Sequence, residues 1–285
     1  MRWRDLRRSQ NVRDVRGRSG GGGMKFGLGG LVVLAAAYFL GVDPSLVMGL
    51  LDTGGGSVAQ DTSAGGAPTD DAGDFATAVL GSTEDVWGAL FSQSGSAYPP
   101  PVLVLFDNPQ RTGCGTATSA LGPFYCPADQ GVYIDLNFFQ QLAGQFGGPQ
   151  DASSVDNFAK AYVIAHEVGH HVQTVTGISD RVRSEQSRSS QAQQNALQVR
   201  MELQADCFAG VWAHYARDRL TEKDVRDALT AAAAVGDDMI QKKTQGYVVP
   251  ESFTHGSAEQ RQRWFTRGFE SGNADACDTF SARSL

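Results

Sequence analysis

Apolar positions are spread unevenly along this 285-residue chain. Residues 1–25 are Arg-rich, with isolated apolar side chains between the charges. Phe26 to Val42 then runs for 17 residues without a charge, and beyond Asp43-Pro44 the stretch Ser45 to Leu51 adds apolar length. Asp52 to about Asp74 is Gly, Ser, Ala, Thr and Asp with almost no large apolar residue, the composition of a flexible linker. From Phe75 the pattern becomes that of a folded domain, 75–285. Phe75, Val79, Val86, Trp87, Leu90 and Phe91 recur at helical spacing, with a break expected near Gly81-Ser82 and an end at Tyr98-Pro99-Pro100-Pro101. Val102 to Phe106 reads as a buried strand and Gly131 to Asp135 as another, separated by a turn-rich segment. Helices are expected at about 136–145, 155–175, 186–218, 221–243 and 257–270. A small sheet followed by helices is an α+β order, mostly helical.

Charge changes the reading of the first two segments. Residues 1–25 hold seven Arg and one Lys against Asp5 and Asp14, a net of +6; the whole chain is −7, so the remainder carries −13. An uncharged 17-residue helix spans about 25 Å, the short end of what crosses a bilayer. Arg and Lys precede it and almost nothing positive follows. The expectation is one transmembrane helix, 26–51, with residues 1–25 as a cytoplasmic tail, 52–74 as a linker and the domain outside the cytoplasmic membrane. A cleaved signal with Ser57-Val58-Ala59 as its site is the rival; the long basic segment and the distance to that site favour an anchor. Topology and anionic lipid account for the basic tail more simply than nucleic acid does, so no nucleic-acid partner is expected.

The chemistry is concentrated at His166-Glu167-Val168-Gly169-His170. Residues four apart lie one above the other on a helix, so His166 and His170 point at one place, where a zinc ion can take both. Glu167 projects beside that place and is positioned to take a proton from metal-bound water. Only five His occur in the chain, and the flanks are apolar, which argues against a surface pair. Gly169 costs about 1 kcal/mol relative to Ala inside a helix; close approach of another backbone would justify it. His171 points about 100° from His170 and is expected to pack or support rather than ligate.

A catalytic zinc needs three protein ligands and an open position. A third His six residues after His170 is absent, since that position is Thr176. Glu202 and Asp206 are again four apart, at the start of the apolar stretch Cys207 to Trp212. One carboxylate can bind the metal while the other accepts the N–H of a ligating imidazole.

The sequence His-Glu-Val-Gly-His followed by Glu202-Leu203-Gln204-Ala205-Asp206 resembles the gluzincin metallopeptidases. It is more closely similar to the bacterial membrane-anchored "putative neutral zinc metallopeptidase" family. That resemblance runs through Arg7-Arg8-Ser9-Gln10-Asn11-Val12, Gly122 to Asp129, Ala165 to Gln173, Glu202 to Cys207 and Phe253-Thr254-His255-Gly256. It implies a zincin-like domain with one zinc ion on His166, His170 and Glu202, Glu167 as base, Asp206 behind His166, and a protein or peptide as substrate. His255 is the candidate for stabilising the oxyanion; equally, Ser257 to Gln260 resembles a capping box with His255 as a surface residue before it. His214 lies about 120° round from Glu202 and is expected to be structural.

An outward-facing domain allows disulfides. Cys114 and Cys126 are close in sequence within loops, and Cys207 and Cys277 are then left to each other; a thiolate zinc ligand is not expected. Substrate is expected to lie extended along Val132 to Asp135 or Val102 to Phe106. Two other functions stay open: a zinc-binding envelope assembly factor without turnover, and an amidase acting on peptidoglycan peptides. Glu167 weighs against the first, since a structural metal site has no use for a base.

Overall fold

The apolar runs Val102–Phe106 and Gly131–Asp135 form the two central strands of a 4-stranded sheet. The structure, a computed structural model, describes residues 1–17, 66–139 and 157–285. Its elements in chain order are β1 (Val12–Asp14), α1 (Asp71–Gln93), β2 (Val102–Phe106), β3 (Gln110–Thr112), β4 (Gly115–Ala117), β5 (Phe124–Cys126), β6 (Gly131–Asp135), α2 (Asn157–Val175), α3 (Ile178–Gln186), α4 (Gln191–Tyr215), α5 (Glu222–Ala234), α6 (Asp237–Gln245) and α7 (Ala258–Ser271). The sheet order is β1-β2-β6-β5, with β1, β2 and β6 parallel and β5 antiparallel to β6. A separate hairpin pairs β3 with β4.

Continuous apolar runs suit strands covered on both faces. Leu103, Leu105, Val132 and Ile134 face the main core beneath the helices, while Val104, Phe106 and Tyr133 join Ala117 and Cys126 in a smaller cluster on the other face. The helical layer is built around α4, buried without interruption from Met201 to Ala213. A helix enclosed on all sides has no single apolar stripe. It crosses α7 at backbone contact: a Cβ at Gly210 would strike the Phe265 carbonyl, and one at Gly268 the Cys207 carbonyl. This is the expected α+β class, mostly helical with small sheets.

Several expected boundaries are corrected. No break occurs at Gly81-Ser82; α1 is continuous. The Arg7 carbonyl occupies the space a Cβ at Gly81 would need, and Ser82 Oγ accepts a hydrogen bond from Trp212 Nε1 at 3.1 Å. Small residues here admit neighbours rather than end the helix. The expected helix 186–218 is α4 alone and starts only at Gln191, where the Ser190 and Gln193 side chains form a capping box; α3 before it was not expected. The expected helix 221–243 is two, α5 and α6, parted at Gly236, where a Cβ would strike Ala258. The domain begins before Phe75, since Asp70 caps α1 by accepting from the Gly73 N–H at 2.7 Å.

Neither strand named for substrate is a sheet edge: β2 lies between β1 and β6, and β6 between β2 and β5. Residues 1–17, read as a tail apart from the domain, supply β1 and pack on α1. Among the described residues no helix is long and apolar enough to cross a membrane. The expected span 26–51, most of the linker 52–74 and most of the helix at 136–145 lie outside them.

Candidate metal site

Two helices converge on one point. α2 supplies His166 and His170, and α4 supplies Glu202 and Asp206. Their close approach depends on Gly169: a Cβ there would lie 2.9 Å from the Ala205 carbonyl oxygen and 3.0 Å from its Cα. The expected reason for a glycine inside this helix is therefore met, and the contact partner stands between Glu202 and Asp206.

Glu202 Oε2 lies 3.2 Å from His166 Nε2 and 3.5 Å from His170 Nε2. One ligand atom from each of the three residues falls within 4.8 Å of the others. Zinc bonds of about 2.0–2.1 Å in a tetrahedron put ligand atoms ~3.3 Å apart, so the donor set fits one such ion.

Both imidazoles are oriented from behind. His166 Nδ1 is 2.8 Å from Asp206 Oδ1, and His170 Nδ1 is 2.9 Å from Gln173 Oε1. Each Nδ1–H donates to an oxygen, which fixes the tautomer and turns Nε2 toward Glu202. Gln173 is itself held, donating from Nε2 to the Met201 carbonyl at 2.7 Å and to Gln204 Oε1 at 3.1 Å. The remaining oxygen of Glu202 accepts from Gln198 Nε2 at 2.9 Å.

Asp206 is fully buried and its charge is answered by Arg261 of α7, itself 4% exposed. Arg261 donates from Nε to Oδ2 at 2.8 Å and from Nη2 to Oδ1 at 2.9 Å, while the Tyr162 hydroxyl donates to Oδ1. Burial alone would push the Asp206 carboxyl up; Arg261 and His166 outweigh it and hold it at about 2. Burial would lower His166, but Asp206 and Glu202 raise it to about 10. His170 is raised against the same penalty, chiefly by Glu202. Burial pushes Glu167 up, partly offset by the two histidines. The pocket thus stabilises positive charge at the imidazoles, which a proton or a metal dication can supply.

The other sequence candidates fall as follows. His171 is fully buried, donates from Nε2 to the Pro99 carbonyl at 2.6 Å and accepts at Nδ1 from the Tyr125 hydroxyl at 3.1 Å. It ties α2 to β5 and is not a ligand. His255 precedes α7, about a third exposed, with Nδ1 3.2 Å from Asp237 Oδ1. Its charge contributes to holding Glu202 low, which places it in the electrostatic reach of the site. The Ser257–Gln260 capping box is formed as well, so the cap and the proximity of His255 coexist. His214 binds the Phe269 carbonyl at 2.8 Å. Disulfides join Cys114 to Cys126 and Cys207 to Cys277.

Tyr162, Gln173, Asp237 and Arg261 escaped the sequence reading. Gln173 was findable, since it lies three residues after His170 and therefore on the same helix face. Arg261 sits 55 residues from Asp206, with no local pattern to mark it.

Comparison with known proteins agrees with this geometry. The family described as "Putative neutral zinc metallopeptidase" matches residues 1–280. "Uncharacterized protein YpfJ" of Escherichia coli strain K12 is 48% identical over 293 residues, covering 98% of this chain and 99% of its own length. "Uncharacterized protein Rv2575" of Mycobacterium tuberculosis strain H37Rv is 48% identical over 218 residues, 72% of this chain and 69% of its own. No solved structure matches the chain.

Proposed function

This chain belongs to the putative neutral zinc metallopeptidase family, and we propose that it hydrolyses peptide bonds with one zinc ion held by His166, His170 and Glu202. The observation that carries this reading is the convergence of two tautomer-fixed imidazoles and a carboxylate on one point, with Glu167 between the two histidines on the same helix. Zinc bound there would lower the pKa of water at its open position toward ~7 and polarise the scissile carbonyl.

Glu167 takes the proton of the attacking water and returns it to the leaving amine. Burial raises its carboxyl, which suits a group that must hold a proton midway through the reaction. Asp206 and Gln173 keep the imidazoles from turning, and Arg261 keeps Asp206 from turning. His255, oriented by Asp237, donates to the carbonyl oxygen as negative charge develops on it. The substrate backbone lies along β5, the outermost strand of the sheet on the β6 side. Tyr125 of β5 bonds His171, which ties that strand to the helix carrying both histidines.

Attachment to the cytoplasmic membrane through residues 26–51, with the domain on the outer side, is part of the proposal. Two disulfides suit an oxidising compartment.

The test is Glu167→Gln. Zinc content by metal analysis and hydrolysis of casein and of peptidoglycan are measured for both proteins. Zinc retained with hydrolysis lost is expected; a variant as active as wild type would falsify the role of Glu167. Which polymer is cut separates a protease from a peptidoglycan amidase.

A further inference from the structure

Residues 1–17 precede the apolar segment, yet they are folded into the domain that follows it. Val12, Arg13 and Asp14 pair in parallel with Leu103, Val104 and Leu105 of β2. Trp3, 5% exposed, meets Phe75 edge-on at 5.4 Å. The Ser9 N–H donates to the Thr77 carbonyl at 3.1 Å, beside the gap that Gly81 leaves for the Arg7 backbone.

Charge binds the arm as well. Arg7 pairs with Glu84 at 2.7 Å and Asp85 at 2.8 Å, and Arg8 pairs with Asp74 at 2.7 Å. Ser9 Oγ and Asn11 Nδ2 both donate to Glu84 Oε1, at 2.6 and 2.8 Å. The basic arm is therefore matched to the acidic face of α1. At its far end the Asp14 N–H donates to the Gly66 carbonyl at 3.1 Å, so the chain leaves for residues 18–65 and returns at neighbouring points.

We infer that residues 1–17 and the domain from Gly66 onward lie on the same side of the membrane. The inference rests on the membrane attachment proposed above. A single span puts its flanks on opposite sides of a hydrocarbon layer about 30 Å thick, and β1 cannot pair with β2 across it. The orientation rule for positive residues concerns Arg and Lys left at the membrane surface; Arg7 and Arg8 are committed to carboxylates of α1. With the domain outside, the arm is outside too.

Single-cysteine labelling of the full chain in cells tests this. All four native cysteines are in disulfides, so Gln10→Cys and Ser96→Cys, both at exposed positions, each add one reactive thiol. A membrane-impermeant maleimide is applied to intact and to permeabilised spheroplasts. The same ratio of labelling at both sites is expected. Labelling of Ser96→Cys in intact spheroplasts with Gln10→Cys labelled only after permeabilisation overturns the inference. Carbonate extraction run alongside reports on attachment separately: release of the protein with equal labelling sinks the membrane reading and leaves arm and domain together. Trp3→Ala in the full-length protein supplies a second readout, with a melting temperature lower by roughly 5 °C or more expected. An unchanged melting temperature would mean that the arm is not docked.

Discussion

Arg261 and Asp206 meet side-on, with the guanidinium Nε and Nη2 donating to separate carboxylate oxygens at 2.8 and 2.9 Å. The pair joins α7 to α4 directly behind His166. Removing one partner of a buried pair leaves the other uncompensated, at a cost of about 3–5 kcal/mol. Arg261→Met should therefore lower stability by that order, and zinc affinity by about 10–100-fold through a less firmly held His166. Arg261→Lys keeps the charge and loses the two-pronged geometry, and should fall between. Chelator competition and urea unfolding measure the two effects. Wild-type zinc affinity in Arg261→Met would show that Asp206 orients His166 without help.

Gln173→Leu removes the acceptor behind His170 while keeping similar volume. Zinc affinity should drop by roughly 10-fold or more, with a smaller effect on fold stability than Arg261→Met. An unaltered zinc dissociation constant would assign the orientation of His170 to the metal alone.

Gly169→Ala places a methyl group 2.9 Å from the Ala205 carbonyl oxygen. Because helix propensity favours Ala, an exposed glycine would gain stability from the change. Here overpacking should reverse the sign, costing about 1–3 kcal/mol and moving His170 away from Glu202. Thermal melts with and without zinc decide it; a stabilised variant would refute the close contact of α2 with α4.

His255→Phe should leave zinc content intact and lower kcat by about 10²–10³-fold if the ring donates to the developing oxyanion. Asp237→Asn should act more broadly. Its Oδ2 accepts from the backbone N–H groups of Thr254, His255 and Gly256 at 2.7, 2.6 and 3.1 Å, so the loop as well as the ring loses its hold. Full activity in His255→Phe would return His255 to the role of a residue beside the helix cap.

The pH dependence of the chelated protein follows from two opposed shifts. Asp206 is held at about 2, whereas an unfolded Asp titrates near ~3.9. Its contribution is complete above roughly pH 4 and is lost as pH falls toward 2. His166 is raised to about 10 from ~6.5. Its contribution is complete below about pH 6.5 and is lost as pH rises through 10. Melting temperatures in chelator should peak between about pH 4 and 6.5. Zinc replaces the imidazole protons, so its addition should raise the alkaline side most and its affinity should fall on acidification. A chelated protein most stable above pH 9 would contradict these shifts.

Legibility followed the range of the interactions. His166, His170, Glu202 and Asp206 were readable because a four-residue step fixes two side chains on one helix face whatever surrounds it. The two central strands were readable from their unbroken apolar runs. Gly81-Ser82 misled because a small residue that ends a helix and one that admits a neighbouring backbone look alike along the chain; only the Arg7 carbonyl against Gly81 distinguishes them. The arm misled for a related reason. A basic segment before an apolar one has a membrane meaning, and the acidic partners on α1, up to 78 residues away, are invisible to it.

By itself, then, the sequence determined the donor types, their helical spacing, the α+β class and the presence of a glutamate beside the paired histidines, all set by local geometry and composition. Tertiary structure decided that Glu202 reaches both histidines, that Arg261 and Gln173 hold Asp206 and His170 in place, that β1 and β5 rather than β2 and β6 are the edge strands of the sheet, and that residues 1–17 belong to the domain. Each of these depends on which surfaces bury one another. That choice is made by close packing and by the cost of leaving a buried charge unmatched, neither of which is expressed along a single stretch of chain.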